Sequence, residues 1–204
     1  MTTRIVLLIS GTGSNARSLL DSLHASAGAV DASVVAVGSD KDAPGFTHAA
    51  HYGLPTFHVP LNSGDDRDAW GERLIAEIDR FEPDLVILSG FMRLVPSNVV
   101  EHYSPALWNT HPAYLPEFPG AHAVADAMAA GVSETGASVI VVDNGVDTGP
   151  ILAQRRVAIN PGDTEESVHE RIKVVERELL FDLVRQASSG ELTIEMRESG
   201  RAHD

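Results

Sequence analysis

Apolar residues recur along the first part of the chain in two alternating patterns, short continuous runs and helically spaced positions. A short apolar run bounded by turn residues is typical of a strand buried on both faces, whereas apolar positions three and four residues apart indicate an amphipathic helix. These patterns predict strands at residues 4–10, 33–38, 56–59 and 84–89. They predict helices between those strands at residues 14–26, 44–51 and 66–81.

The pattern changes after Gly90. Residues 104–120 contain four prolines and three aromatic residues, and we interpret them as a structured loop region because apolar residues run through them. The predicted elements that follow are strands at residues 137–142 and 151–159, with a glycine-rich turn between them, and a long helix at residues 163–186. Asp163 and Glu166 are a candidate capping box at the start of that helix.

Strands and helices that alternate at these lengths predict a parallel sheet with right-handed crossovers. The last two strands are predicted to pair without a crossover, which makes the sheet mixed. We therefore expect an α/β fold: one Rossmann-like domain over residues 1–197, with a mostly parallel twisted sheet, helices on both faces and a mixed carboxyl-terminal half. Residues 198–204 are expected to be a disordered tail. Ligands of such sheets lie outside the carboxyl ends of the strands, where the loops after Ser10, Ser89 and Leu107 begin.

The composition excludes several classes of site. The chain has no cysteine, which excludes disulfides, thiolate catalysis and cysteine zinc sites. Its formal charge is −14, from 29 acidic and 15 basic residues, which makes general nucleic-acid binding a poor candidate function. No run approaches the roughly 20 apolar residues of a membrane span, and the amino terminus lacks a signal-peptide pattern. We therefore expect a cytoplasmic protein that holds any anionic substrate through local features, such as a helix amino terminus.

The first candidate site is residues 11–16, which leave a predicted strand and open a predicted helix. Glycines there let the backbone approach a ligand, and the free amides of a helix start attract anions. The simpler alternative is a tight turn with Ser14 as the N-cap. The segment also fits the loose dinucleotide fingerprint G-x-G-x-x-A, although its acidic residue would be Asp40, which comes late. A nicotinamide-dependent oxidoreductase is therefore one alternative function.

Asn109 and His111 are the second candidate site. Positions i and i+2 of an extended segment face the same way, so both side chains would point at one place. An amide donor beside an imidazole is what a developing oxyanion requires. In the alternative interpretation, both side chains bond loop carbonyls before Pro112.

The third candidate site is residues 143–150, which are rich in turn formers. A simple turn closed by Asn144 and Gly145 is the alternative interpretation. Asp147 gains a role only if the fold brings it to His111, where a carboxylate would raise the pKa of the imidazole and fix its tautomer. For Arg67 and Glu176, considered singly, a surface position and a solvated helix face are the simplest interpretations.

Four blocks of the sequence carry a family resemblance: LISGTGSN at 8–15, PDLVILSGFMRLV at 83–95, LWNTHPAYLPEFPGAHA at 107–123 and VDTGPIL at 146–152. In this order and spacing they closely resemble the phosphoribosylglycinamide formyltransferases, the folate-dependent enzymes of purine synthesis. Methionyl-tRNA formyltransferases and formyltetrahydrofolate hydrolases share two of the motifs but carry extra domains, for which 204 residues leave no room. Ala113 and Tyr114 depart from the more usual Ser-Leu, and Ala137 replaces a more usual Thr or Val.

The resemblance implies roles for the matched positions. The implied catalytic residues are Asn109, His111 and Asp147. The implied phosphoribosyl-binding residues are Gly13, Ser14, Asn15, Lys173 and Glu176. The implied folate-binding residues are Arg67, Met92, Arg93, Leu94, Val95, Asn109, Asp143, Asn144, Gly145, Val146 and Asp147. The same resemblance implies a cis peptide bond between Leu115 and Pro116.

The implied reaction transfers the formyl group of 10-formyltetrahydrofolate to the amine of N1-(5-phospho-D-ribosyl)glycinamide, a step of de novo purine biosynthesis. It would proceed directly through a tetrahedral intermediate, with no metal, no nucleic acid and no membrane, in a monomer or a homodimer. A non-catalytic folate-binding module is the second alternative function, and it would bind folate without turnover.

Overall fold

The computed structural model describes residues 2–192, which form seven strands and six helices. The strands are β1 Thr3–Ile9, β2 Ala32–Ser39, β3 Thr56–His58, β4 Leu85–Leu88, β5 Leu107–His111, β6 Glu134–Val141 and β7 Ile151–Ala158. The helices are α1 Ser14–Ala25, α2 Phe46–His51, α3 Arg67–Asp79, α4 Ser97–Tyr103, α5 Ala123–Ala129 and α6 Glu165–Ser189. The tail predicted at residues 198–204, and the last five residues of the predicted domain, lie outside the described residues.

All seven strands belong to one sheet, in the order β3-β2-β1-β4-β5-β6-β7. The first five strands in this order are parallel, while β6 runs antiparallel to both β5 and β7. Leu88 of β4 pairs with Leu8 of β1 on one side and with Asn109 of β5 on the other, so three neighbouring strands end at the same edge. The predicted mixed α/β sheet is confirmed.

Helices cover both faces of the sheet. Helices α1, α5 and α6 pack on one face, and α3 and α4 pack on the other. Along β1, Ile5, Leu7 and Ile9 face the first group, whereas Val6 and Leu8 face the second. Both sides of β1 are therefore buried, which explains why its sequence is an unbroken apolar run.

Three details of the predicted secondary structure are wrong. Leu107–His111 is a strand rather than part of a loop, and α4 and α5 were not predicted. Both missed helices have seven residues, too few to repeat an apolar period more than once. The peptide bond from Leu115 to Pro116 is cis, as predicted, and so is the bond from Ser104 to Pro105.

The capping box of α6 is formed by different residues from those predicted. Thr164 is the N-cap, its hydroxyl accepts from the Ser167 amide at 3.1 Å, and the Ser167 hydroxyl accepts from the Thr164 amide at 3.0 Å. Asp163 was misassigned because its carboxylate serves another purpose. It accepts two hydrogen bonds from the guanidinium of Arg171, eight residues further along the chain, at 2.8 and 3.0 Å.

Candidate active site

Asn109 and His111 lie at the carboxyl end of β5, and both reach Asp147. The Asn109 amide nitrogen Nδ2 is 3.4 Å from Oδ1 of Asp147, and Nδ1 of His111 is 3.3 Å from its Oδ2. Thr110, between them, belongs to the other side of the strand. The fold therefore brings together the three side chains that the resemblance implied as catalytic, although Asp147 is 38 residues from Asn109 along the chain.

The loop between β6 and β7 holds Asp147 in an unusual backbone conformation. Asp147 has a φ of 54°, a left-handed value that is uncommon for a residue other than glycine. Its Oδ2 accepts from the backbone amide of Gly120 at 2.8 Å. Within the loop, the carboxylate of Asp143 accepts from the Gly145 amide at 3.0 Å and from the Thr148 hydroxyl at 2.9 Å. Asp143 thus shapes the loop, and Asp147 faces the site.

Both nitrogens of the His111 ring face oxygen acceptors. Nε2 lies 3.0 Å from the Phe118 carbonyl, and Nδ1 lies beside the carboxylate of Asp147. A neutral imidazole has a single N–H, whereas the imidazolium presents an N–H on both sides of the ring. His111 is buried, with a side chain that is 5% exposed. Because Phe118 already holds Nε2, Nδ1 is the nitrogen on the side of Asp147 and Asn109.

Residues 11–16, the candidate phosphate loop, lead into the start of α1. Gly13 is the N-cap of this helix with a φ of 65°, and no side chain caps the first amides. The alternative that made Ser14 the N-cap is wrong, because Ser14 is the first residue of the helix. The start of α1 therefore presents backbone amides without a competing side-chain acceptor, which suits an anion.

Asn15 and Glu176 are in direct contact, although one begins α1 and the other lies in the middle of α6. Nδ2 of Asn15 donates to Oε2 of Glu176 at 2.9 Å, and Arg177 donates to Oδ1 of Asn15 at 3.0 Å. Glu176 is only 4% exposed, so the interpretation of a solvated helix face is wrong. Burial raises the pKa of the Glu176 carboxyl to about 7, against the opposing effects of Asn15, Arg177 and Lys173.

Lys173 lies one turn before Glu176 on α6 and belongs to the same neighbourhood. Its ammonium group pairs with Glu170 at 2.6 Å, and 24% of the side chain is exposed. The implied phosphoribosyl-binding residues thus form one group at the facing parts of α1 and α6, with Lys173 on its solvent side.

Apart from Arg67 in α3 and Asn109 in β5, the implied folate-binding residues fall into two segments, one after β4 and one after β6. Met92, Leu94 and Val146 are 65%, 62% and 45% exposed, which is unusual for large apolar side chains. The guanidinium of Arg67, at the start of α3, donates to the Leu94 carbonyl. Phe91 does not contribute to this exposed surface, because its ring stacks on Trp70 in the core with 6.3 Å between the centroids.

One polar group beside the site was missed by sequence reasoning. Asp40 follows β2 and is buried, and it accepts from the Ser10 hydroxyl at 2.6 Å and from Nε of Arg93 at 2.7 Å. Burial tends to raise the pKa of Asp40, but Ser10 and Arg93 outweigh it and the pKa is lowered. In the sequence, Asp40 is a candidate only as the acidic residue of a dinucleotide fingerprint. Its position directly after an apolar run was the sequence signal that could have indicated a buried polar group at the end of a strand.

Within residues 2–192, no three histidine, aspartate or glutamate side chains are grouped as the ligands of a metal ion would be. Every helix in the same range is too short or too polar to cross a bilayer.

Comparison with known proteins agrees with the geometry. A model of the formyl transferase family matches residues 3–184. The phosphoribosylglycinamide formyltransferase of Mycobacterium tuberculosis H37Rv is 48% identical over 94% of this chain and 87% of its own length. The enzyme of the same name from Escherichia coli K12 is 38% identical over 84% of this chain and 81% of its own. The crystal structure of glycinamide ribonucleotide transformylase 1 from Symbiobacterium toebii superposes with a TM-score of 0.89, at 35% identity, over 95% of this chain and 91% of that one.

Proposed function

The chain belongs to the formyl transferase family, among its phosphoribosylglycinamide formyltransferases, and we propose that it transfers the formyl group of 10-formyltetrahydrofolate to the amine of N1-(5-phospho-D-ribosyl)glycinamide. The products are the formylglycinamide ribonucleotide and tetrahydrofolate. The observation that carries this proposal is the contact of one partly buried carboxylate, Asp147, with both Asn109 and His111.

In the proposed mechanism the substrate amine attacks the formyl carbon directly. The carbonyl oxygen becomes an oxyanion in a tetrahedral intermediate, and the amide of Asn109 and the imidazolium of His111 donate hydrogen bonds to it. Removal of one such donor typically lowers the rate by about 100- to 1000-fold. Because Phe118 holds Nε2 of His111, the donor would be the N–H at Nδ1, and the oxyanion would take the place of the Asp147 carboxylate as its acceptor.

Asp147 supports the charged form of this donor. Its carboxylate lies beside Nδ1 and stabilises the imidazolium. The intermediate collapses when the bond from the formyl carbon to the folate nitrogen breaks. The attacking amine loses a proton and the leaving folate nitrogen gains one, and we propose that a water molecule near Asp147 relays it.

The two substrates would be held by different segments of the chain. The phosphate of the ribonucleotide fits the uncapped amides of α1 at Gly13 and Ser14, and its ribose fits the contact between Asn15 and Glu176. The folate fits the exposed apolar side chains of Met92, Leu94 and Val146. An uncapped helix start also accounts for anion binding by a chain whose formal charge is −14. A monomer or homodimer, and a cytoplasmic location, stay predictions.

The test is a formyl-transfer assay with 10-formyltetrahydrofolate and glycinamide ribonucleotide. His111→Ala and Asp147→Asn are compared with the unaltered protein, and folate binding is measured separately by calorimetry. Turnover that collapses in both variants while folate still binds supports the proposal. An unaltered protein that binds folate without turnover supports the non-catalytic module instead. A protein that binds nicotinamide nucleotide and no folate supports the oxidoreductase alternative.

A further inference from the structure

The mechanism above leaves the buried carboxylate of Asp40 without a role. Its side chain is 2% exposed, and its two oxygens are used by two different partners. Oδ1 accepts from the hydroxyl of Ser10 at 2.6 Å, and Oδ2 accepts from Nε of Arg93 at 2.7 Å. A buried charge is costly unless such partners compensate it, so this arrangement calls for a reason beyond packing.

The hydroxyl of Ser10 connects Asp40 to the segment that follows β4. It accepts a hydrogen bond from the Met92 amide at 2.9 Å, while the Ser10 amide donates to the Gly90 carbonyl at 3.1 Å. A hydroxyl has one proton, and donation of that proton to Asp40 leaves its lone pairs to receive Met92. The charged carboxylate of Asp40 therefore orients the Ser10 hydroxyl so that its oxygen can accept from the Met92 amide.

Arg93 supplies a second attachment of the same segment. Its Nε is fixed on Asp40, whereas 41% of the side chain is exposed beside Met92 and Leu94. Asp40 thus holds the segment at two successive residues. It holds Met92 through the hydroxyl of Ser10, and it holds Arg93 through its guanidinium.

We propose that Asp40 is a positioning residue that sets the course of residues 90–94 and thereby the affinity for the folate substrate. This inference rests on the proposed function, because it assigns the folate to that segment. Asp40 does not touch the reacting atoms in this scheme, so its loss should weaken folate binding and leave the chemical step intact.

The loss of Asp40 should weaken the binding of the folate and not that of the ribonucleotide. Ser10 directly precedes the phosphate loop, but that loop has attachments of its own. The Gly11 carbonyl accepts from the Gly45 amide at 3.0 Å, and the Thr12 carbonyl lies 3.1 Å from Nε2 of His48. These contacts do not involve Asp40, so the KM for the ribonucleotide should stay close to its original value.

The experiment compares Asp40→Asn, Ser10→Ala and the double variant with the unaltered protein in steady-state kinetics on both substrates. Asp42→Asn is the matched control, since it removes an exposed charge two residues away. We expect Asp40→Asn to raise the KM for 10-formyltetrahydrofolate by about tenfold or more, the effect of losing a hydrogen bond to a charged group. We expect kcat and the ribonucleotide KM to change by less than about threefold, and Asp42→Asn to resemble the unaltered protein.

The double variant provides a second readout. Because Asp40 holds Met92 through Ser10, the two substitutions affect one shared chain of hydrogen bonds. Their combined effect on the folate KM in the double variant should therefore be smaller than the product of the two single effects. An unchanged folate KM in a folded Asp40→Asn protein would overturn the inference, and so would a fall in kcat with both KM values raised. If Asp40→Asn does not fold, the same comparison of kcat and the two KM values is made with Ser10→Ala. An unaltered protein that transfers no formyl group overturns the proposed function and this inference with it.

Discussion

The side-chain amide of Asn15 donates a hydrogen bond to the carboxyl of Glu176, and this 2.9 Å contact joins residues 161 positions apart. It fastens the start of α1 to the middle of α6 at the place where we propose that the ribosyl group binds. Glu176 is buried there, and its pKa is raised to about 7, chiefly by burial. The protonation state of this carboxyl therefore changes close to neutral pH.

The raised pKa of Glu176 predicts that stability falls as pH rises from about 4.5 to about 7. The folded state binds this proton more tightly than the unfolded state, so the stabilisation is present below the unfolded pKa of 4.5 and is lost through the folded pKa of about 7. The loss should be on the order of 3 kcal/mol. Glu176→Gln keeps an acceptor for Asn15 and cannot ionise, so its free energy of unfolding should vary less with pH. Urea unfolding between pH 4.5 and pH 8 measures both curves, and parallel curves would contradict the assignment.

The contact between Asn15 and Glu176 also shows what the sequence does not reveal. The alternation of apolar runs and helical periods was enough to predict the mixed end of the sheet and every parallel strand except β5. Glu176 lies within an amphipathic helix, where a carboxylate normally faces water. Its burial depends on the packing of α6 against α1, which no local pattern encodes.

The three proposed catalytic residues are likewise only partly predictable from the local sequence. Asn109 and His111 are two positions apart on one strand, so their common direction follows from strand geometry alone. Asp147 reaches them because β6 pairs with β5 and returns its loop to the same edge. In the sequence, only the family resemblance links Asp147 to His111. The partnership of Asp40 with Arg93 escaped both routes, because the residues lie 53 positions apart on loops after different strands.

The capping box of α6 predicts a stability effect at Thr164. Replacement of the N-cap by alanine removes the acceptor for the Ser167 amide, and Thr164→Ala should lower the free energy of unfolding by about 1 kcal/mol. Glu166→Ala is the control, because Glu166 is exposed in the first turn and takes no part in the observed box. Urea denaturation should show a lower midpoint for Thr164→Ala alone. A larger loss in Glu166→Ala would favour the box first inferred from the sequence.

Gly149 is predicted to be required for the shape of the loop that carries Asp147. A Cβ atom at this position would overlap the backbone carbonyl oxygen of Val141, which cannot move without distorting β6. Gly149→Ala should therefore lower the free energy of unfolding by about 1–3 kcal/mol, as overpacking does, and should reduce kcat by displacing Asp147.

Gly145→Ala is the contrasting variant in the same loop. Its added Cβ would meet the side chain of Thr148 rather than the backbone of β6, and the Thr148 hydroxyl can move only by giving up its hydrogen bonds to Asp143. Gly145→Ala should therefore lose some stability, but less than Gly149→Ala. Thermal unfolding and formyl-transfer rates of the two variants provide the comparison. A Gly149→Ala protein as stable as the unaltered protein would show that the loop adapts at Gly149 and that its glycine is not needed for packing.

Asn109 should contribute to the transition state rather than to substrate binding. In the proposed mechanism its amide donates to the oxyanion, which exists only after the amine has attacked, so Asn109→Ala should lower kcat by about 100- to 1000-fold. The KM values should change little, because the ground-state carbonyl carries no full charge for the amide to stabilise. Thr110→Ala is the control, since its side chain belongs to the opposite side of the same strand, and it should retain most of kcat. A raised KM with unchanged kcat in Asn109→Ala would instead make Asn109 a folate-binding residue, and the oxyanion would then have His111 as its side-chain donor.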